Sequence, residues 1–151
     1  LDALWAAGLV GAFIANQATF GAEVAGCQAE IGAASAMAAA ALVYLRGGTP
    51  EACGHACAMA LKNLLGLVCD PVAGLVEVPC VKRNVVGVVN AISCANMALA
   101  GITSRIPADE VIDAMAEVGL RIYGKPQEVD WRLPLLHKKL QKTWLLYKHP
   151  I

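Results

Sequence analysis

Charge is scarce in this chain. Lys, Arg, Asp and Glu make up 16% of 151 residues against 58% hydrophobic ones, which excludes a disordered, solvated polypeptide. The formal net charge is zero, which argues against a nucleic-acid binder, whose phosphate contacts need a basic surface. There is no Gly-rich phosphate loop, no lysine context suited to pyridoxal phosphate and no internal repeat. Nor is there a second Cys/His pair to complete a zinc site around Cys53-Gly54-His55-Ala56-Cys57. On a helix Cys53 and Cys57 share a face and His55 points elsewhere, so that run reads as an ordinary core or surface face. His55, His137 and His149 stand in no recognisable motif. The chain opens on Leu1, directly in an apolar segment without a basic n-region or a cleavage site. It reads as a chain truncated at its N-terminus rather than as one led by a signal peptide.

What charge there is lies unevenly. Residues 1–120 hold five Lys/Arg and ten Asp/Glu, whereas residues 121–151 hold seven and two, so an acidic body precedes a basic tail. Two windows, Ala3–Ala22 and Asn84–Ser104, carry no charge at all and reach bilayer-spanning length. A helical membrane or interaction fragment is therefore the rival reading. Asn16, Gln17, Asn90 and Asn96 lie inside the windows, and both are rich in Ala and Gly, which weighs against lipid. Six cysteines in a large Ala/Gly-rich chain do not resemble a stapled secreted scaffold, so reduced thiols in a cytosol are expected.

The length suggests one domain with a substantial core. Residues 3–18 read as a buried helix and 20–26 as a glycine-spaced turn. Residues 27–45 read as an Ala-rich helix ended by Gly47-Gly48. Thr49-Pro50-Glu51 starts the next helix, with Thr49 as N-cap and Pro50 at the first helical position, running to about Val68. Residues 69–82 read as an irregular loop, with a short extended piece at 75–78. An apolar helix follows over 84–100. A clean amphipathic helix ends the series, with Val111, Ile112, Met115 and Val118 on one face. The fold expected is all-α, about five packed Ala-rich helices with an irregular cysteine-bearing loop at 69–82.

Three cysteines break the pattern of small buried hydrophobes. Cys27 follows Gly26, Cys69 precedes Asp70-Pro71, and Cys80 follows Pro79. Cys94, by contrast, sits on an apolar helix, as a core cysteine does. Spacing alone is a weak metal signal, because the gap between Cys69 and Cys80 is not the tight C-x₂-C of ferredoxins or zinc ribbons. The runs GCQAEIG (26–32) and NLLGLVCDPVAGLVEVPCVKRN (63–84), with the helix between them, closely resemble the α chain of the iron–sulfur-dependent L-serine dehydratases. The resemblance covers roughly residues 2–122.

That resemblance implies that Cys27, Cys69 and Cys80 hold three irons of a 4Fe-4S cluster, leaving a fourth open. It implies conversion of L-serine to pyruvate and ammonia, with the open iron as Lewis acid on the hydroxyl and no pyridoxal phosphate. Lys82, Arg83 and Asn84 become candidates for the substrate carboxylate or for supporting the cluster's charge. Gln28 and Glu30 become candidates to orient groups or relay protons around it. No residue stands out as the catalytic base. The resemblance also implies a β chain or β domain, an oligomeric enzyme, a cytoplasmic location, no membrane and no nucleic acid. It divides the chain into a helical cluster-binding domain, 1–122, and an atypical tail, 123–151. Family members end near a run resembling Gly-Gly-Leu-Ala-Ala-Thr-Pro-Thr. One permitted set of codons for Glu128 to His137, read in a shifted frame, gives Gly-Gly-Leu-Ala-Ala-Thr-Pro-Thr-Ala; the alternative is a genuine basic tail lying on the surface. The expectation is a frameshift between about Tyr123 and Glu128, with a tail never selected to fit this core.

Overall fold

Alanine dominates the segment that becomes the centre of the molecule. The computed structural model describes residues 1–71, 75 and 77–124. Six α-helices run in chain order: α1 (Asp2–Gln17), α2 (Ala22–Ala25), α3 (Ala33–Leu45), α4 (Pro50–Lys62), α5 (Lys82–Leu99) and α6 (Ala108–Tyr123). A π-helical turn, Gln28–Gly32, leads directly into α3, and a segment kinked at the non-helical Val78, Glu77–Val81, leads into α5. The central helix α3 packs against α1, α4 and α5, and α6 packs against α2 and α4. Ala33, Ala36, Ala39 and Val43 of α3 meet Ala56 to Leu61 of α4 and Ala91, Cys94, Ala95 and Ala98 of α5 in one core. Side chains this small let helix axes approach closely. A methyl on Gly87 of α5 would lie 3.0 Å from Ile31, and one on Gly11 of α1 would lie 3.0 Å from Met37.

The all-α fold is as expected, with boundaries that differ for physical reasons. The helix expected over 27–45 starts as a π turn, which inserts an extra residue per turn and re-aims the side chains around Cys27. The turn expected at 20–26 holds the four-residue α2 between Gly21 and the left-handed Gly26. Helix α4 ends at Lys62, and a turn around the left-handed Gly66 leads into an irregular stretch. Cys80 lies in the kinked segment just before α5, which begins at Lys82. Val78, within that segment, is extended (φ −134°, ψ 118°), as expected of the piece at 75–78. The tail beyond residue 124 and its proposed shifted frame lie outside the described residues. One segment, Gln28–Leu45, is long and apolar enough to cross a membrane; 56% of it is buried, at the centre of the bundle. Neither charge-free window is such a segment among the described residues.

The junction of α3 and α4 shows local chemistry fixing the bundle. Gly47 takes a positive φ (76°) after α3, its N–H bonds to Tyr44 O at 3.0 Å, and the Gly48 N–H bonds to Val43 O at 2.9 Å. This is the two-bond glycine cap that satisfies the last carbonyls of a helix. Thr49 then caps α4, its Oγ1 accepting from the Ala52 N–H at 3.2 Å. A methyl on Gly48 would lie 2.4 Å from Val43 Cγ1 and 3.0 Å from the Val43 carbonyl, so the corner cannot accept one unmoved. In chemical denaturation, Gly48→Ala is expected to cost about 1–3 kcal/mol by overpacking and Thr49→Ala about 1 kcal/mol by loss of the cap. A Gly48→Ala protein as stable as the parent would contradict this account of the corner.

Candidate functional site

Three separate segments deliver sulfur to one point. Cys27 leads into the π turn, Cys69 lies in the irregular stretch after α4, and Cys80 sits in the kinked Glu77–Val81 segment. Their Sγ atoms all lie within 4.8 Å of one another, and no other such group of His, Cys, Asp and Glu occurs among the described residues. Cys80 Sγ is 3.6 Å from Cys27 Sγ and 3.9 Å from Cys69 Sγ. Cys27 and Cys80 are buried and Cys69 is half-buried. Around them Ile31, Leu64 and Leu67 form a small apolar cluster separate from the main core. All three sulfurs are free thiols, able to hold a metal ion.

Crowding divides the thiols electrostatically. Hydrogen bonding from Cys69, then from Arg83 and Cys80, pulls the Cys27 thiol down to about 6 from 9.0, against the opposing effect of burial. The bond to Cys27, then burial, pushes Cys69 far up. Burial first, then the bond to Cys27, pushes Cys80 up, with the nearby Glu30 carboxylate adding a small push. The first negative charge thus settles on Cys27, and its neighbours resist a second. A bound cation removes that resistance.

The other candidates separate clearly. Arg83 reaches the site: its Nη1 donates to Cys27 Sγ at 3.4 Å and to the Val68 carbonyl at 2.6 Å. Lys82 and Asn84 are exposed, and Asn84 Nδ2 turns back onto the Cys80 and Val81 carbonyls, each at 3.3 Å. Glu30 is exposed. Gln28 is buried and makes structural bonds only, to Ala25 O, Met115 O and the Gly66 N–H.

Two neighbours of the thiols were not singled out from the sequence. Tyr123 Oη accepts the Cys69 N–H at 2.6 Å, and the ring lies against Gly26. The available signal was its position eight residues after Met115 on one face of α6. Asp70 is buried, and its Oδ1 has no hydrogen-bond partner among the described residues. Of the remaining cysteines, Cys57 is buried in the core and burial pushes its thiol up to about 12. Cys53 donates to Ala40 O at 3.4 Å. Cys94 is buried beside Asn63 and Asn90.

A family model described as the serine dehydratase alpha chain matches residues 1–132. The chain belongs to that family. Among serine dehydratase relatives, the probable L-serine dehydratase alpha chain of Bacillus subtilis (strain 168) is 64% identical over 116 residues, 77% of this chain and 39% of the relative. That of Latilactobacillus sakei is 61% identical over 116 residues, 77% of this chain and 56% of the relative. L-serine dehydratase 1 of Escherichia coli (strain K12) is 46% identical over 125 residues, 82% of this chain and 27% of the relative. The chain therefore spans between 27% and 56% of the length of these serine dehydratases.

Arg83 and Lys82 make opposite predictions for the metal-free protein at neutral pH. With Cys27 titrating near 6, the parent should show the ultraviolet absorbance of a thiolate. Arg83→Met should reduce that absorbance, because a lost cation and donor raise the thiol; Lys82→Met should leave it unchanged. Equal absorbance in all three proteins would show that Arg83 does not act on Cys27.

Proposed function

We propose that this chain supplies the cluster-binding part of an iron–sulfur L-serine dehydratase, which converts L-serine to pyruvate and ammonia. The observation that carries the reading is the convergence of Cys27, Cys69 and Cys80 beside Arg83, in a chain of the serine dehydratase alpha family. Soft thiolates suit iron–sulfur clusters. Three of them, with no fourth ligand in the group among the described residues, leave one metal position open for a substrate. When bound, a 4Fe-4S cluster supplies a Lewis-acidic iron that makes the substrate hydroxyl a better leaving group.

The chain's own residues hold and shape that site. Cys27 and Cys80 form its buried wall, and the half-buried Cys69 its outer one. Arg83 keeps a cation against Cys27 and ties the Cys69 segment to α5 through Val68 O, so it serves the thiols more than a substrate. Lys82, exposed beside it, is the group free to meet a substrate carboxylate, whereas the Asn84 amide already donates to the Cys80 and Val81 carbonyls. A β chain or further domain completes the enzyme. Two exposed apolar faces support this: Leu4, Trp5, Leu9 and Phe13 on α1, and Val85, Val88, Val89 and Ile92 on α5. So does the greater length of the relatives.

One distance favours a second reading. A tetrahedral zinc with Zn–S of about 2.3 Å sets its sulfurs about 3.8 Å apart, and two of the thiol pairs stand at 3.6 and 3.9 Å. Anaerobic purification with counts of iron, zinc and acid-labile sulfide separates the two. Iron and sulfide in equal amounts are expected in the parent and in Cys53→Ala, Cys57→Ala and Cys94→Ala. Cys27→Ala, Cys69→Ala and Cys80→Ala should each lose both. Zinc without sulfide, or equal iron loss from Cys94→Ala, would overturn the assignment.

A further inference from the structure

We infer that Gln28 is a positioning residue, which with a notch at Gly119 sets the separation of Cys27 from Cys69 by referring both to α6, a helix that carries no cysteine. The inference rests on the reading of Cys27, Cys69 and Cys80 as one ligand set.

Gln28 follows Cys27 directly and is 1% exposed. Its Nε2 donates to Ala25 O at 2.9 Å and to Met115 O of α6 at 3.2 Å. Its Oε1 accepts the Gly66 N–H at 2.9 Å, and its own backbone N–H donates to Leu67 O at 2.9 Å. One residue therefore grips the Gly66–Leu67 approach to Cys69 at two points and α6 at a third. Both amide hydrogens are used, and a buried amide leaves costly orphans if any of these bonds is lost.

Close backbone approaches reinforce the grip. A methyl on Gly119 of α6 would lie 2.7 Å from Ala25 Cβ, 3.1 Å from Ala25 Cα and 3.7 Å from Gln28 Nε2. A methyl on Gly26 would lie 2.7 Å from Leu67 O. Glycine at 119 thus lets the Cys27 turn seat against α6, and glycine at 26 lets it seat against the Cys69 segment. Met115 and Gly119 are one helical turn apart on the same face of α6. Both lie on that helix's buried side.

The test uses the full chain, loaded anaerobically with iron and sulfide. Gln28→Glu keeps an acceptor for the Gly66 N–H but turns a carboxylate oxygen toward two carbonyls. Gln28→Leu removes every side-chain bond, and Gly119→Ala closes the notch. Ser35→Ala is the control: it breaks bonds to Gly87 O and Asn90, remote from α6. Readouts are the rate of iron loss to a chelator, the electron paramagnetic resonance of the reduced centre, and thermal stability. Each Gln28 variant and Gly119→Ala should lose iron about tenfold faster or more, the size expected for groups that orient metal ligands, with altered resonance. Ser35→Ala should keep the parent's rate and spectrum at comparable loss of stability. Unchanged spectra and rates in Gln28→Glu would overturn the inference, as would iron loss that simply follows stability in all variants. A parent that takes up no iron would instead remove the ligand-set reading beneath it.

Discussion

The site depends on one close approach, that of the Gly26–Cys27 turn to the Leu67 carbonyl. The Gln28 N–H bonds that oxygen at 2.9 Å, and a side chain on Gly26 would strike it at 2.7 Å. Gly26 also adopts a positive φ of 84°, which a side chain would strain. Steric and conformational demands therefore coincide on one glycine. If the two segments part, Cys27 and Cys69 part with them, and the Arg83 bridge from Cys27 Sγ to Val68 O has nothing to span.

The bundle supplies the fixed frame for that approach. The central helix α3 grows out of the Gln28–Gly32 π turn, so the placement of Cys27 is bound to the best-packed element. Helix α5 follows the kinked Glu77–Val81 segment, with Cys80 just before it and Arg83 in its first turn. Two thiols thus stand at the entrances to core helices. Alanine and glycine on facing positions, with Gly87 close to Ile31, hold those entrances near each other. The polar links Ser35 to Gly87 and Asn90 to Ser35 and Ala60 O lock α3, α4 and α5 in register. Cys69 comes from a stretch without regular structure, and it is the least buried of the three.

Much of the frame was legible from sequence, because alanine richness, the Thr49-Pro50 start and the α6 periodicity are local signals. The π turn at Gln28–Gly32 was not, since nothing in single-sequence periodicity marks one inserted residue. The three cysteines stood out by their Gly and Pro contexts and by resemblance, but their approach to within 4.8 Å is a tertiary fact. Gln28 was noted for its place beside Cys27, but its partners at Gly66 and Met115 lie far away in the chain and were not legible. Tyr123 escaped notice for the same reason: its partner, the Cys69 N–H, is distant in the chain.

The central claim is that these three thiols hold a cluster with one iron left open to L-serine. Mössbauer spectroscopy of the iron-57-loaded chain, alone and then joined to its completing chain or domain, tests this most directly. The account predicts a cluster spectrum in which one iron site differs from the other three, and, in the completed enzyme, a shift of that site alone when L-serine is added. A single tetrahedral iron without sulfide, or four sites that ignore L-serine in the completed enzyme, would contradict it.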